Sequence, residues 1–276
     1  MKSEICVYDL RTGVVETVLE TDRLVEAPNW TPDGLALIVN GDGLLFRVAL
    51  DAPELVEIDT GFARNLNNDH GISPDGRTLV ISDKTEFGES RVYTLPMGGG
   101  TPRLVTGQGP SYWHGWSPDG ATLAYVGRRE AGFQVFVCPV DGGPETQLTE
   151  SFDHCDGPDY SSDGKWLWFN GEVGGRVDLW RIPAQGGRPE RMTEDALVNW
   201  FPHPSPKGGE VLYLAYPEGT EGHPRDLEVS LRLLNETDGS VRTLVELLGG
   251  QGTINVPCWA PDGERFAFVR YARPER

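Results

Sequence analysis

The sequence lacks any apolar run long enough to cross a bilayer, and its first residues do not resemble a signal peptide. The opening stretch, MKSEICVYDLRTG, has charged and polar residues where a secretory signal would have its apolar region. A transmembrane helix would need about 20 consecutive apolar residues. We therefore expect a soluble cytoplasmic protein with no membrane partner.

Cysteine is scarce and widely spaced. The four cysteines are Cys6, Cys138, Cys155 and Cys258. No C-x-x-C pair occurs, so neither a zinc-finger pattern nor the disulfide framework of a small secreted domain is indicated. We interpret all four residues as free thiols.

Basic residues are also few. The chain has 24 Lys and Arg against 42 Asp and Glu, which gives a net charge of −18 at pH 7. Such an excess repels phosphate backbones over long range. We therefore expect no nucleic acid partner, and we attribute the charge itself mainly to solubility.

Turn-forming residues, by contrast, are abundant, with 35 Gly and 21 Pro, and they recur in a repeat. A tetrapeptide close to (S/T/A)PDG appears six times, at 31–34, 73–76, 117–120, 161–164, 205–208 and 260–263. The starts are separated by 42, 44, 44, 44 and 55 residues. A period of about 40 to 45 residues is typical of the four-stranded blades of a β-propeller.

Each repeat shows the pattern of four strands. The tetrapeptide predicts a tight turn, and an alternating run such as ATLAYV predicts the second strand after it. A run such as QVFVCPV, a Gly-Gly turn and a short run such as ETQLTE predict the third and fourth strands. The first strand then precedes the tetrapeptide and lines the central channel.

The two ends of the chain complement each other. The segments EICVYDL and VVETVLE correspond to a third and a fourth strand, whereas VPCWAPDGERFAFVRY supplies only a first and a second. We therefore predict an all-β fold, a six-bladed β-propeller with 2+2 strand closure of the last blade by the N- and C-termini. It forms a single domain over residues 1–276, and the closure leaves no open sheet edge between the first and last blades.

The repeat resembles that of the TolB family of propellers, whose repeats are also called WD40-like or PD40 repeats. The resemblance is carried by the (S/T/A)PDG turn, the following L-x-(F/Y) run and the terminal L-T of TPRLVT and TQLTE. It covers essentially the whole chain and implies the fold, but no settled activity. The stretches NWFPHPSP, GHPRDLEV and GGQGTINVPCWAPDG are similar to a single-domain cytoplasmic subgroup.

Two properties of related propellers are not carried over. TolB itself has a signal peptide and an additional N-terminal domain, neither of which is recognised in this sequence, so its role in the Tol complex is not expected here. Propellers also accompany hydrolases of the prolyl-oligopeptidase type. The G-x-S-x-G nucleophile motif of those enzymes does not occur, which excludes a serine peptidase.

One end of the propeller is predicted to hold the chemistry. The connections between strands two and three, and from strand four to the next blade, lie opposite the Pro-Asp-Gly turns, and all five histidines fall there. His70, His114 and His203 precede a tetrapeptide by two or three residues, at the channel mouth. His223 lies in the connection between the second and third strands of the fifth blade, which accounts for the 55-residue interval. We expect this connection to be about a dozen residues longer than is usual for such loops. His154 is expected further out.

Amides, carboxylates, aromatic rings and one arginine share this end. The predicted ligand-binding residues are Asn68, Asp69, His70, Trp113, His114, Asp156, Trp200, His203, His223, Arg225, Gln251 and Asn255. Aromatic groups beside amides and carboxylates suit a carbohydrate or another polyhydroxylated ligand. Trp30, Trp116 and Trp259 recur directly before the tetrapeptide, and we expect them to pack between blades instead.

Three functions remain open from the sequence. The first is a TolB-like propeller that binds a small polar ligand, such as a carbohydrate, or a protein segment at the channel mouth. The second is a metal-assisted lyase or hydrolase for a carbohydrate, in which His70, His114 and His203, with Gln251 or Asp156, hold a divalent Mn, Zn or Fe. Its resemblance to oligogalacturonate lyases is looser, because those propellers have seven blades. The third is a scaffold whose faces bind other proteins.

Overall fold

The computed structural model describes residues 2–272, and strands and their connections account for all of them. Within this range no helix has the length and apolar character needed to span a membrane. Five four-stranded antiparallel sheets and one three-stranded sheet are present among these residues. The predicted six-bladed all-β propeller is therefore confirmed.

The five four-stranded blades follow one another along the chain, and in each the first strand lies beside the first strands of its neighbours. Blade 1 contains β3 (Glu26–Trp30), β4 (Ala36–Gly41), β5 (Leu44–Ala49) and β6 (Val56–Ile58). Blade 2 contains β7 (Leu66–Ile72), β8 (Thr78–Asp83), β9 (Arg91–Pro96) and β10 (Arg103–Leu104). Blade 3 contains β11 (Ser111–Trp116), β12 (Thr122–Arg129), β13 (Gly132–Pro139) and β14 (Thr146–Gln147).

The last two complete blades have the same order. Blade 4 contains β15 (His154–Tyr160), β16 (Trp166–Val173), β17 (Arg176–Pro183) and β18 (Glu190–Arg191). Blade 5 contains β19 (Val198–Pro204), β20 (Glu210–Tyr216), β21 (Arg225–Asn235) and β22 (Val241–Gly250).

The closing blade joins the two ends of the chain. It contains β1 (Lys2–Asp9), β2 (Val15–Thr21) and β23 (Arg265–Ala272). Strand β1 pairs with β2 on one side and with β23 on the other, where Ile5 lies opposite Val269. The predicted 2+2 closure is confirmed.

The first strand of the closing blade is reduced to a single bridge between Trp259 and Phe266. The carbonyl groups of the preceding segment accept hydrogen bonds from side chains of other blades instead. The Ile254 carbonyl lies 2.6 Å from a ring nitrogen of His203, and the Asn255 carbonyl lies 3.1 Å from a ring nitrogen of His114. This segment, residues 251–258, is called the closing loop below, and it connects the closing blade to the channel mouth.

The recurring tetrapeptide forms its turn through side chains as well as backbone. In the first repeat the Thr31 hydroxyl donates to Asp33 at 2.6 Å, and the same carboxylate accepts the backbone N–H of Leu35. Equivalent Ser-to-Asp bonds occur in repeats two, three and four. The glycine of the turn has a positive φ, for example +70° at Gly34, which explains the preference for glycine there.

The first strand of every complete blade contains a shift of register. In blades 1, 4 and 5 the shift includes a residue with a left-handed backbone followed by proline. These residues are Ala27 (φ +56°), Gly157 (φ +59°) and Phe201 (φ +53°). Bulges of this kind redirect side chains, and here they lie at the channel mouth.

The long interval in blade 5 is only partly a loop. Residues 217–224 connect β20 to β21, while β21 and β22 reach 11 and 10 residues and form a long outer hairpin. Strand β21 begins pairing with β22 at Arg225, before its pairing with β20 begins at Ser230. The expected excess loop is therefore largely ordered as strand.

The core lies between blades. Trp30, Trp116 and Trp259 are each at least nine-tenths buried, in clusters that combine residues of neighbouring blades. They pack as expected from the sequence.

Candidate functional site

A cavity of about 510 Å³ opens at the end of the propeller where the histidines were predicted. It is bounded by the first strands and connections of blades 2, 3 and 4, the loop 217–224 and the closing loop. Its lining residues are Asn65, Asn67, Asn68, Asp69, Lys84, Gly88, Glu89, Ser90, Pro110, Tyr112, His114, Val126, Phe133, His154, Asp156, His223, Gln251 and Asn255. We call it the mouth cavity.

Seven of the predicted ligand-binding residues line this cavity. They are Asn68, Asp69, His114, Asp156, His223, Gln251 and Asn255. Five others do not: His70, Trp113, Trp200, His203 and Arg225. The structure therefore brings together the carboxylates, the amides and only part of the histidine set.

The five remaining residues have other contacts. Trp113 is fully buried, and its ring fills the space where a Cβ on Gly71 would lie. Trp200 is buried behind the cavity wall, with its ring 4.4 Å from that of His223. Arg225 lies 3.6 Å from Glu26, beside the first blade.

His70 and His114 have the same spacing from their tetrapeptides, yet only His114 reaches the cavity. His70 is paired in the ladder opposite Ile81, whereas His114 lies in the bulge between Trp113 and Gly115. A residue inside a bulge is released from the alternation of the strand. His70 is consequently buried with one ring nitrogen 3.3 Å from the Ile38 carbonyl, and burial lowers the pKa of His70 to about 4.

His203 also lies in the ladder, opposite Leu212. One of its ring nitrogens is 3.0 Å from Asp159, and the other faces the Ile254 carbonyl. Its own carbonyl accepts the indole N–H of Trp259 at 2.8 Å. His203 thus fastens the closing loop to blade 5 and does not contact the cavity.

The geometry around His114 requires a proton on each ring nitrogen. Nδ1 lies 3.1 Å from the carbonyl of Asn255, and Nε2 lies 2.9 Å from Oδ1 of Asp156. Both partners accept, so each nitrogen must donate. Burial alone would lower the pKa of His114, but the charge of Asp69 and the bond to Asp156 outweigh it and raise the pKa to about 9.

Asp156 is the centre of the polar cluster. Beyond its contact with His114, its Oδ2 lies 3.6 Å from Nε2 of His223 and 4.0 Å from Nε2 of His154. Burial would raise the pKa of the Asp156 carboxyl, yet His114 and His154 lower it well below its ordinary value. Asp156 is therefore the ionised partner of three imidazoles.

His154 and His223, the two other histidines near Asp156, differ in the direction of their pKa shifts. The pKa of His154 is raised by Asp156 in spite of burial, whereas burial and the neighbouring charges of His154 and His114 lower the pKa of His223. Nε2 of His154 and Nδ1 of His223 are buried and have no hydrogen-bond partner among the residues that the structure describes. Both rings line the cavity, which places the two unsatisfied nitrogens at its wall.

Asp69 forms the second carboxylate of the cavity floor. Its Oδ1 lies 3.8 Å from Nε2 of His114, and its Oδ2 accepts a hydrogen bond from the Asn67 amide. Burial raises the pKa of Asp69 to about 7, although the charge of His114 opposes this. Asp69 and Asp156 thus flank one imidazole but differ strongly in acidity.

Aromatic rings form one side of the cavity. The rings of Tyr112 and Phe133 have centroids 6.3 Å apart, and Phe133 is 5.0 Å from the ring of His154. Behind them, Phe201 stacks on His114 at 6.2 Å. We call Tyr112 and Phe133 the aromatic wall.

Several cavity residues were missed in the sequence. Lys84, Glu89 and Ser90 belong to the connection between the second and third strands of blade 2, which has seven residues where blades 1, 3 and 4 have two. This length was visible once the strands were assigned. Phe133 had no comparable signal, because it is the second residue of an ordinary third strand.

The residues predicted to hold a metal do not fit one. His70 and His203 are buried away from the cavity, and the two ring nitrogens of His203 are already occupied. Across residues 2–272, no three His, Cys, Asp or Glu side chains are arranged to hold an ion.

Comparison with known proteins gives consistent matches. The TolB beta propeller domain family, PD40, matches residues 1–154 and 114–229. An uncharacterized protein of Agrobacterium fabrum is 50% identical over 272 residues, which is 98% of this chain and 93% of that protein. A solved structure assigned to TolB from Agrobacterium tumefaciens has a TM-score of 0.97 and 49% identity, with 99% of each chain covered. TolB from Acinetobacter baumannii has a TM-score of 0.69 and 18% identity over 91% of this chain and 64% of that one, which supports the fold alone.

Proposed function

The chain belongs to the TolB β-propeller family, and from this premise we propose that it binds a small polar ligand in the mouth cavity. The observation that carries the proposal is the arrangement of Asp156. Its Oδ2 lies 3.6 Å and 4.0 Å from two imidazoles, beyond hydrogen-bond distance, and each of those rings has a buried nitrogen without a hydrogen-bond partner among the described residues. Buried polar groups are normally satisfied, so such a cluster indicates that a ligand completes it.

Size and composition support a small ligand over a protein segment. A volume of about 510 Å³ lies within the usual range for small-molecule sites, roughly 300 to 1,000 Å³. Amides from Asn65, Asn67, Asn68 and Gln251 line the cavity, and the aromatic wall offers the faces of two inclined rings. Carbohydrates and other polyols combine such polar edges with apolar faces.

The proposal is tested with a thermal-shift screen of sugars, polyols, nucleosides, amino acids and amines. We expect at least one class to raise the melting temperature of the wild type and not that of Asp156→Asn. The matched control is Asp178→Asn, because Asp178 is a buried carboxylate of the same blade that pairs with Arg191 and does not line the cavity. A ligand that stabilises Asp156→Asn equally, or the absence of any stabilising ligand, would contradict the proposal.

A second candidate is an enzyme that cleaves a carbohydrate at the same site. The unlike acidity of Asp69 and Asp156 favours it, because a carboxyl with a pKa near neutrality beside an ionised one is the usual arrangement for acid and base roles. Product formation from neutral oligosaccharides that falls in Asp69→Asn by more than the loss of binding explains would support the enzyme. Binding without turnover would support a binding protein and not an enzyme.

A further inference from the structure

We propose that the mouth cavity binds a neutral sugar through two neighbouring hydroxyl groups, one donating to Asp156 and the other to Asp69, beside His114. This inference rests on the proposed function and specifies its ligand. It follows from three features: the positions of the Asp156 and Asp69 carboxylates, the positive charge of His114, and the aromatic wall beside them.

The two acceptors are close to a single ring nitrogen. The Oδ1 atoms of Asp156 and Asp69 lie 2.9 Å and 3.8 Å from Nε2 of His114. Oδ2 of Asp156 lies 3.6 Å or more from its imidazole neighbours, so neither it nor Oδ1 of Asp69 is within hydrogen-bond distance of these rings. Two carboxylates beside one ring atom suit two donors on adjacent atoms of a ligand, as in a vicinal diol.

The fixed charge of His114 argues against an ammonium ligand. Two carboxylates would ordinarily suit a cation, but here a cation would lie beside an imidazolium whose two N–H groups are already committed. Asp69 adds a second reason. Because burial brings its pKa to about 7, it is partly protonated at neutral pH. A hydroxyl can pair with either form of Asp69, whereas an ammonium needs the ionised form.

An acidic sugar is disfavoured as well. The net charge of −18 repels anions during approach. Inside the cavity both N–H groups of His114 are already committed, so this imidazolium cannot donate to an anion. A neutral sugar avoids both penalties, and its apolar ring face can lie on the aromatic wall of Tyr112 and Phe133.

The outer imidazoles complete the recognition. A hydroxyl that donates to Oδ2 of Asp156 would lie near Nε2 of His154, which is 4.0 Å from that oxygen and has no hydrogen-bond partner among the described residues. Oδ2 of Asp156 also lies 3.6 Å from Nε2 of His223, which belongs to the loop 217–224 of blade 5. One sugar hydroxyl would therefore connect residues of two blades.

The test is isothermal titration calorimetry at pH 7 with matched sugars. D-glucose, D-mannose and D-ribose present vicinal hydroxyls at C2 and C3. The matched compounds are 2-deoxy-D-glucose for both hexoses and 2-deoxy-D-ribose for ribose, and D-glucosamine replaces the C2 hydroxyl of D-glucose with an ammonium. We expect at least one of the three sugars to bind, and the matched deoxy compound to bind about 10-fold to 100-fold more weakly, as for a lost hydrogen bond to a charged group. Asp156→Asn should lose this difference, and Asp178→Asn should keep it.

Other outcomes overturn the inference in distinguishable ways. Equal affinity for a sugar and its deoxy form, or tighter binding of D-glucosamine, would exclude the diol while leaving a small-ligand site. Failure of all sugars, with another class active in the thermal-shift screen, would do the same. Failure of every compound in both experiments would overturn the proposed function itself.

Discussion

His114 shows how neighbours decide the chemistry of one residue. A lone histidine titrates near neutrality, but this one is held between a carbonyl and a carboxylate, and it carries a fixed positive charge. Asp69 and Asp156 have the same chemical group, yet the pKa of Asp69 is raised to about 7, whereas the pKa of Asp156 lies well below its ordinary value. The difference arises because Asp156 has three imidazoles within 4.0 Å and Asp69 has one.

The raised pKa of Asp69 has a consequence for stability. The folded-state pKa of about 7 lies above the ordinary 3.8, so the folded chain holds this proton more tightly than the unfolded chain does. The stabilisation is complete below about pH 4 and is lost as the pH rises through 7. Asp69→Asn removes this dependence. We expect the unfolding free energy of Asp69→Asn minus that of the wild type to increase by about 2 to 4 kcal/mol from pH 4 to pH 8, which means that the variant becomes relatively more stable.

Urea unfolding across that pH range measures the effect. Asp163→Asn is the control, because Asp163 lies in an exposed turn and hydrogen bonds hold its pKa at about 2, which places its titration below the range. Its difference from the wild type should stay constant above pH 4. A constant difference for Asp69→Asn as well would show that Asp69 is an ordinary acid.

At the scale of the element, the bulges of the first strands select the side chains that reach the cavity. His70 and His114 have equivalent positions in the sequence, and the position of the bulge separates them. Periodicity and turn residues predict the strands, but a bulge depends on how neighbouring blades meet. This is why Asp69, Asp156, Gln251 and Asn255 could be assigned from their connections, whereas His70 and His203 could not be distinguished from His114.

Gly157 tests the bulge in blade 4. It has a φ of +59°, and a Cβ there would lie 3.0 Å from Phe201 and 3.1 Å from Asn170. Gly174, in the same blade, has a φ of +60° and no atom within 4 Å of such a Cβ. Gly174→Ala should cost about 1 kcal/mol from backbone strain alone. Gly157→Ala should cost about 2 to 4 kcal/mol, because overpacking is added.

Urea unfolding of both variants gives the comparison. Because Asp156 directly precedes Gly157, we also expect Gly157→Ala to weaken ligand binding. Equal losses of stability in the two variants would show that the bulge tolerates a side chain, and that its geometry does not fix Asp156.

At the scale of the whole molecule, the closure between β1 and β23 holds the ring together. The repeat count, the turn chemistry and the incomplete ends were sufficient to predict it, because each is a local feature repeated along the chain. The single bridge that replaces the first closing strand was not predictable. It depends on contacts from His114 and His203, which come from blades 3 and 5.

Ile5 lies at the centre of this closure, fully buried and opposite Val269. Ile5→Ala should reduce the unfolding free energy by about 2 to 4 kcal/mol, because it leaves a cavity in the seam between the chain ends. Val14→Ala, at a position that is 58% exposed, should change it by less than about 0.5 kcal/mol. Similar losses at both positions in denaturant unfolding would contradict a stability that depends on the closure.

The central claim is that a ligand binds at the Asp156 cluster, and nitrogen-15 NMR of the five histidine rings tests it most directly. The wild type is titrated with the neutral sugar that binds most tightly in calorimetry. We expect the ring signals of His154 and His223 to shift on binding, because these rings line the cavity, while those of His70 and His203, buried outside it, stay unchanged. Saturation with no shift at His154 or His223, or equal shifts at His70 and His203, would contradict the claim.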